Sequence, residues 1–394
     1  MWGPPSKKTN IMKKLFLLMS LIISGTMALQ AKTVLTPAQQ LIQRMAKIQQ
    51  KGYMYGHQDD PFYGITWSYE EGRSDTKDLV GDYPGVMGFD LGGIERADLN
   101  NLDDVPFETI RQEIIKQHER GGIVTLSWHP RNPLLGTTAW IESDLKAYDE
   151  ATADLRKLNQ FELAKKVVDP RGTCRSVLPG GSQYEKFQLW LHRVAEFLKT
   201  LKDSKGNPIP FIFRPWHENN GSWFWWGQKL CTDEEYLQLW NMTQDYVNNV
   251  LPTNIVWSYS PNLQGNWTEE EWLKRYPGDD RIDLIGEDAY QWGTEQDFIN
   301  GLNADLQIIT KIGKDHGKLI AVTECGYKNS PDATWWTRVF KQIIDKYPVC
   351  YFLPWRNAPQ EHFGCSKDAT TADDFKQWYA DKRFLFVNDI KKIK

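Results

Sequence analysis

Eight short apolar or β-rich runs alternate with longer amphipathic stretches along this 394-residue chain. They lie near Tyr53–His57, Val86–Asp90, Ile123–His129, Ile209–Phe213, Ile255–Tyr259, Leu284–Asp288, Leu319–Thr323 and Cys350–Pro354. Helical spacing fills Phe107–Glu119, Tyr184–Leu201, Asp233–Val250, Thr294–Ile312 and Trp335–Lys346, and Pro37–Gln50 reads as an opening helix through Leu41, Ile42, Met45 and Ile48. Parallel strands need a long crossover between them, so this alternation implies a parallel sheet with connecting helices. Eight repeats predict an α/β chain folded as one (β/α)8 TIM barrel over residues 32–394. The widest gap separates the third and fourth runs. It holds helical stretches at Ser143–Leu158 and Gln160–Asp169, then a break at Pro179-Gly180-Gly181. A structureless loop of that size is unusual, so a helical insertion over one side of the cleft is expected. Lys391–Lys394 reads as a solvated end.

Net charge is −4, with no basic run outside the termini, which argues against nucleic acid or an anionic membrane surface as partner. Lys13-Lys14 precede the apolar run Leu15–Ile23, and small residues follow at Gly25, Ala28 and Ala31. This is the pattern of an export signal over residues 1–31, with an upstream extension and Met12 as an alternative start. The run is too short to span a bilayer comfortably. A periplasmic or extracellular protein, acting as a monomer, is therefore expected. The five cysteines, at 174, 231, 325, 350 and 365, do not have zinc-site spacing. Cys174 and Cys231 fall in two loops on the same face, where a bridge is one option.

Polar and aromatic residues gather after the runs, on the face where such barrels carry chemistry. The densest stretch is Arg214–Trp226, RPWHENNGSWFWW, directly after the fourth run. Burying a carboxylate costs several kcal/mol unless it is paired, hydrogen-bonded or protonated, so Glu218 at a strand end calls for a function. Tryptophans beside an acid suit a sugar, because flat rings cover C–H faces while the acid works on the glycosidic oxygen. Glu324, in AVTECG after the seventh run, is the second carboxylate. Glycoside hydrolysis needs two: one to protonate the departing oxygen, one to attack the anomeric carbon or activate a water. Glu218, among aromatic and imidazole neighbours that hold its proton, is the expected acid. Glu324 is the expected nucleophile, with Arg214, His129 and Tyr290 as available donors. Strands four and seven are expected to face each other across the barrel, and a carboxyl separation of about 5–5.5 Å would mean retention. His57-Gln58-Asp59-Asp60 could suggest a metal, but no second histidine stands nearby at ligand spacing. Neither metal nor other cofactor is expected.

With these residues in view, the chain resembles glycoside hydrolase family 26, the β-mannanase family of the retaining (β/α)8 clan. The likeness runs from Gly56-His57-Gln58 to Trp355-Arg356. It is most specific in HENNGSWFWWG at 217–227 and TECG at 323–326. The resemblance implies Glu218 as acid/base and Glu324 as nucleophile. His217 stands where most of the clan has asparagine, as it does in this family. Trp223 resembles the aromatic near the cleaved bond, and Tyr290 the tyrosine that hydrogen-bonds the nucleophile. His129, Trp355 and Arg356 resemble glycone-side contacts, Trp355 as the floor under the sugar at the −1 position. The implied activity is cleavage of β-1,4-mannosidic bonds in mannan, glucomannan or galactomannan, without a cofactor. A mixed-linkage β-glucanase or β-1,3-xylanase of the same family is the alternative, since nothing here fixes the residues that read an axial 2-hydroxyl. A non-catalytic glycan-binding barrel is the other, and the two intact glutamates argue against it.

Overall fold

The computed structural model describes residues 34–393. Contacts divide the chain after Leu35, and the fold is that of the unit from Thr36 onward. The expected export signal lies outside the described residues. Eight strands form the barrel: β1 Tyr53–Gln58, β2 Val86–Asp90, β3 Ile123–Trp128, β4 Phe211–Pro215, β5 Ile255–Tyr259, β6 Leu284–Gln291, β7 Leu319–Tyr327 and β8 Val349–Pro354. All pair in parallel and in sequence order, and β1 joins both β8 and β2, which closes the barrel. A two-residue strand, β9 (Phe384–Leu385), pairs with the first residues of β1, while β2 pairs with the last ones.

The barrel's interior is filled by Met54, Val86, Ile123, Ile212, Val256, Leu284, Ala321 and Tyr351, one cluster that also takes in Leu41, Met45 and Ile48. These last three come from the opening helix, Pro37–Gln49, which therefore plugs the N-terminal end of the barrel. Its start is fixed by a capping box between Thr36 and Gln39 and by proline at the first helical position. Each such apolar side chain contributes roughly 1.5–3 kcal/mol by leaving water. A second, larger cluster packs the outer faces of the strands against the surrounding helices.

Each expected run is a strand, with shifted ends. β4 begins at Phe211 and runs on through Arg214 and Pro215; β6 runs on to Gln291 and β7 to Tyr327. Tyr290 and Glu324 thus lie inside strands rather than past them. The register between β6 and β7 slips after Glu287: Val322 pairs with Glu287, but Glu324 pairs with Asp288. Ala321 faces the interior cluster, whereas Val322 and Cys325 both belong to the outer one. Strict alternation would have sent Glu324 outward. The extra residue at Thr323 resets the alternation and turns Glu324 toward the barrel axis.

Three expectations need correction. Two strands, β5 and β6, stand between β4 and β7 on that side, so these strands are not opposite each other. The stretch Trp335–Lys346 is not one α-helix. It is a π-helical turn, Trp336–Lys341, leading into Gln342–Ile344, because Trp335 stacks on Phe340 and abuts Trp336 at 5.2 and 4.8 Å. The C-terminal end is solvated only in part: Lys391 and Lys392 are exposed, but the backbone is docked, with Arg44 donating to the carbonyls of Ile390 at 3.1 Å and Ile393 at 2.8 Å.

The segment between β3 and β4 is helical, with Glu142–Lys157, Phe161–Ala164 and Thr173–Val177 before the crossover helix Tyr184–Lys199. Its entry is tied to the loop after β4 by Ile141 N donating to the Trp223 carbonyl at 2.8 Å and Trp225 N to that of Ala139 at 3.2 Å. Cys174, from this insertion, is bridged to Cys231, while Cys325, Cys350 and Cys365 are buried thiols.

Candidate active site

The loop after β4 carries the densest chemistry, and its backbone is unusual. Trp216 and Glu218 both occupy the left-handed region, at φ 55° and 51°. Without glycine this costs roughly 1–2 kcal/mol per residue, so the surroundings must hold the turn. Glu218 N donates to the Ser260 carbonyl at 2.8 Å, and Gly221 N to that of Glu218 at 2.9 Å. Tyr236 Oη donates to the Trp216 carbonyl at 2.9 Å and Trp226 Nε1 to that of His217 at 2.8 Å. Trp225 and Trp226 are wholly buried and act as scaffold, while Trp223 is half-buried and lines the cleft. Its indole N–H donates to Glu218 Oε2 at 2.6 Å.

Glu324 sits opposite a guanidinium. Arg214 donates one N–H to Glu324 Oε1 and another to Asp288 Oδ2, the second at 2.7 Å. Tyr290 Oη donates to Glu324 Oε2 at 2.6 Å. Arg214 and Tyr290 are two of the three donors expected for this carboxylate. His129 is not the third: its Nδ1 lies 2.6 Å from Asp90 Oδ2 and its Nε2 lies 3.0 Å from His217 Nε2. Asp90 ends β2, next to β3, and captures the imidazole before it can reach Glu324.

Protonation follows from these contacts. Burial first, then the charges of Asp288 and Glu324, push the Glu218 carboxyl well above the usual range, against the pull of the Trp223 N–H. Burial and the nearby Arg214 push His217 well down, so that imidazole is neutral. Burial pulls His129 down, but Asp90 more than reverses this and leaves it raised. Burial and Glu324 keep the Tyr290 phenol protonated. The site therefore sets a proton-bearing carboxyl, Glu218, beside a carboxylate that receives two donors.

Arg214 is the sole arginine or lysine bonded to Asp288 and Glu324 among the described residues. In Arg214→Met both carboxyls stay buried without it, at a cost of about 3–5 kcal/mol. Urea unfolding should show this as a lower midpoint with an unchanged slope.

All eight residues singled out from the sequence, His129, His217, Glu218, Trp223, Tyr290, Glu324, Trp355 and Arg356, line one cleft of about 440 Å³. Trp355 stands edge-on to His129, with ring centres 6.0 Å apart. Arg356 Nε pairs with Asp103 Oδ1 at 3.2 Å, and burial lifts that aspartic acid to about 6 despite the guanidinium. Sequence reasoning passed over the roles of Asp90, Asp103, Asp288 and Trp140. Asp90 and Asp288 both end apolar runs, the signal that points to them. Trp140, the insertion residue that lines the cleft, lies flat on His129 at 5.2 Å and 8°, and no local pattern marks it.

His57, considered as a metal ligand, bonds Asp60 at 2.7 Å, and Asp60 also takes the Thr76 hydroxyl at 2.6 Å; this braces the start of the barrel. His217, Asp288 and Glu324 bring ligand atoms within 4.8 Å of one another, but Arg214 already bonds both carboxylates.

The sequence profile of glycosyl hydrolase family 26 matches residues 32–380. A solved family 26 β-mannanase from Bacteroides ovatus is 41% identical and superposes with a TM-score of 0.80 over 90% of this chain and 96% of that one. A mannan endo-1,4-β-mannosidase of Bifidobacterium adolescentis is 29% identical over 323 residues, which is 77% of this chain but 29% of that protein. One from Bacillus subtilis is 25% identical over 71% of this chain and 68% of its own length. This chain thus spans under a third of the Bifidobacterium relative.

Proposed function

Because this chain belongs to glycosyl hydrolase family 26, we propose that it is an exported retaining β-1,4-mannanase acting on mannan, glucomannan or galactomannan. The observation that carries the reading is the pairing of Glu218 and Glu324 in one cleft, one holding its proton and the other held by Arg214 and Tyr290. Relatives named for mannan support the substrate.

Glu218 protonates the glycosidic oxygen as its bond to the anomeric carbon breaks, while a Glu324 oxygen bonds that carbon. Arg214 and Tyr290 keep the attacking carboxylate in place. The ester removes the charge of Glu324, which was one cause of Glu218's high proton affinity. Glu218, now a carboxylate, takes a proton from water as the water's oxygen bonds the anomeric carbon and the bond to Glu324 breaks, which returns the Glu324 carboxylate. The same group thereby serves as acid and then base.

The raised Glu218 carboxyl sets the alkaline limb of kcat/KM, because turnover stops as that proton is lost. The Trp223 N–H favours the ionised form, so its removal raises the proton affinity further. Trp223→Phe should therefore move the alkaline limb to higher pH. An unmoved limb, or one moved down, would break the link between Glu218 and the limb. Reducing-sugar release on linear mannan, glucomannan, galactomannan, mixed-linkage β-glucan and β-1,3-xylan tests the substrate. Release from either of the last two, with none from mannan, would replace it.

A further inference from the structure

We propose that Asp90 is a positioning residue for the reaction: through the His129 ring it decides which nitrogen of His217 carries a proton, and so turns an N–H toward Glu324. The inference rests on the hydrolase reading and extends it to a residue wholly buried behind the cleft.

The contacts form one line. Asp90 Oδ2 lies 2.6 Å from His129 Nδ1, His129 Nε2 lies 3.0 Å from His217 Nε2, and His217 Nε2 lies 4.0 Å from Glu324 Oε1. Burial works against the charge on Asp90, but His129, Ser127 and the Gly92 N–H outweigh it and hold the carboxyl below its usual range. A carboxylate only accepts, so His129 Nδ1 brings the proton to that bond.

Two ring nitrogens at 3.0 Å share one proton: one donates and the other accepts. The far end of the neutral His217 ring decides which. Its Nδ1 is buried and meets no partner among the described residues. An orphaned buried N–H is rarer than an orphaned acceptor. The proton of His217 therefore sits on Nε2, and His129 Nε2 accepts it. Glu324 then faces an N–H edge rather than a lone pair, which favours its negative charge.

The relay fails when His129 takes a second proton. His129 Nε2 becomes a donor, His217 Nε2 must accept, and the proton of His217 is driven to the orphaned Nδ1. The charged and titratable groups facing His129 are Asp90 from β2, Asp103 from the loop after it, Arg214 and His217 from β4 and its loop, and Glu324 from β7. Trp140, Phe224, Trp226 and Trp355 contribute rings alone. Burial opposes the second proton, Asp90 and Glu324 favour it, and Arg214 opposes it. Removing the charge of Asp90 thus lowers the pH at which His129 takes it.

Asp90→Asn tests the relay, because the site fixes the orientation of the new amide. Oδ1 of Asp90 accepts from Gly92 N at 2.7 Å, and Oδ2 accepts from the Ser127 hydroxyl at 2.7 Å. Only the amide oxygen can answer Gly92, so the NH₂ group faces His129 Nδ1 and reverses the tautomer. An aspartate in a catalytic triad is read by the same substitution. In the full enzyme, kcat on mannan should fall about 10–100-fold with KM little changed. The acid limb of kcat/KM should move to lower pH. An unchanged kcat would overturn the proposal, as would a loss of kcat with the acid limb unmoved, which a merely structural role predicts. Nitrogen-15 NMR of the histidine-labelled wild type, read above the acid limb, needs no variant. His129 should carry its proton on Nδ1 and His217 on Nε2; a His217 proton on Nδ1 would overturn the relay and leave the hydrolase reading standing. A wild type that hydrolyses none of the glycans named above would bring down that reading and the positioning role with it.

Discussion

Glu218→Ala is expected to lose about 10³-fold of kcat on mannan, within the span that general acid catalysis supplies. The loss should depend on the leaving group. With an aryl mannoside whose phenolate departs without a proton, formation of the ester proceeds nearly as before, and its hydrolysis becomes slow for want of a base. Added azide needs no general base. It should enter from the face that Glu218 has vacated, restore the rate and yield a β-mannosyl azide. The alkaline limb should vanish in the variant as well, since the group that sets it is gone. Normal mannan turnover by Glu218→Ala would remove this residue from the acid role.

Glu324→Ala should be the more damaging change, on the order of 10⁵-fold or more in kcat for every substrate, because no leaving group replaces a missing nucleophile. A 2-deoxy-2-fluoro mannosyl fluoride should label the wild type once, on the peptide that contains Glu324, and leave Glu324→Ala unlabelled. Arg214 and Tyr290 bond this carboxylate directly, so Tyr290→Phe should retain labelling at a lower rate. Label on any other residue of the wild type would refute the assignment.

The two glutamates could be read from the chain because each follows an apolar run that can only be buried, and a buried acid demands a reason. The eight strands could be read for a related cause: period and length survive without knowledge of neighbours. What the chain conceals is lateral. Nothing near Glu324 announces that the pairing of β6 with β7 slips by one residue, although that slip aims the side chain inward. The fate of His129 is decided by Asp90 on the adjacent strand, and the register between β2 and β3 sets that contact. Asp288 shares Arg214 with Glu324 for the same reason, from across a strand boundary. Trp140 comes from an insertion whose helices are legible as helices, but its seat on His129 depends on how the entry pairs with the loop after β4.

The central claim is that Glu324 bonds the sugar and that water later replaces it from the same face the leaving group occupied. Proton NMR of mannohexaose hydrolysis, read in the first minutes before mutarotation, tests this directly. A double displacement through Glu324 predicts that the new reducing ends appear as the β-anomer and drift toward the α-form with time. New ends that appear first as the α-anomer would mean a single inversion by water, and would contradict it.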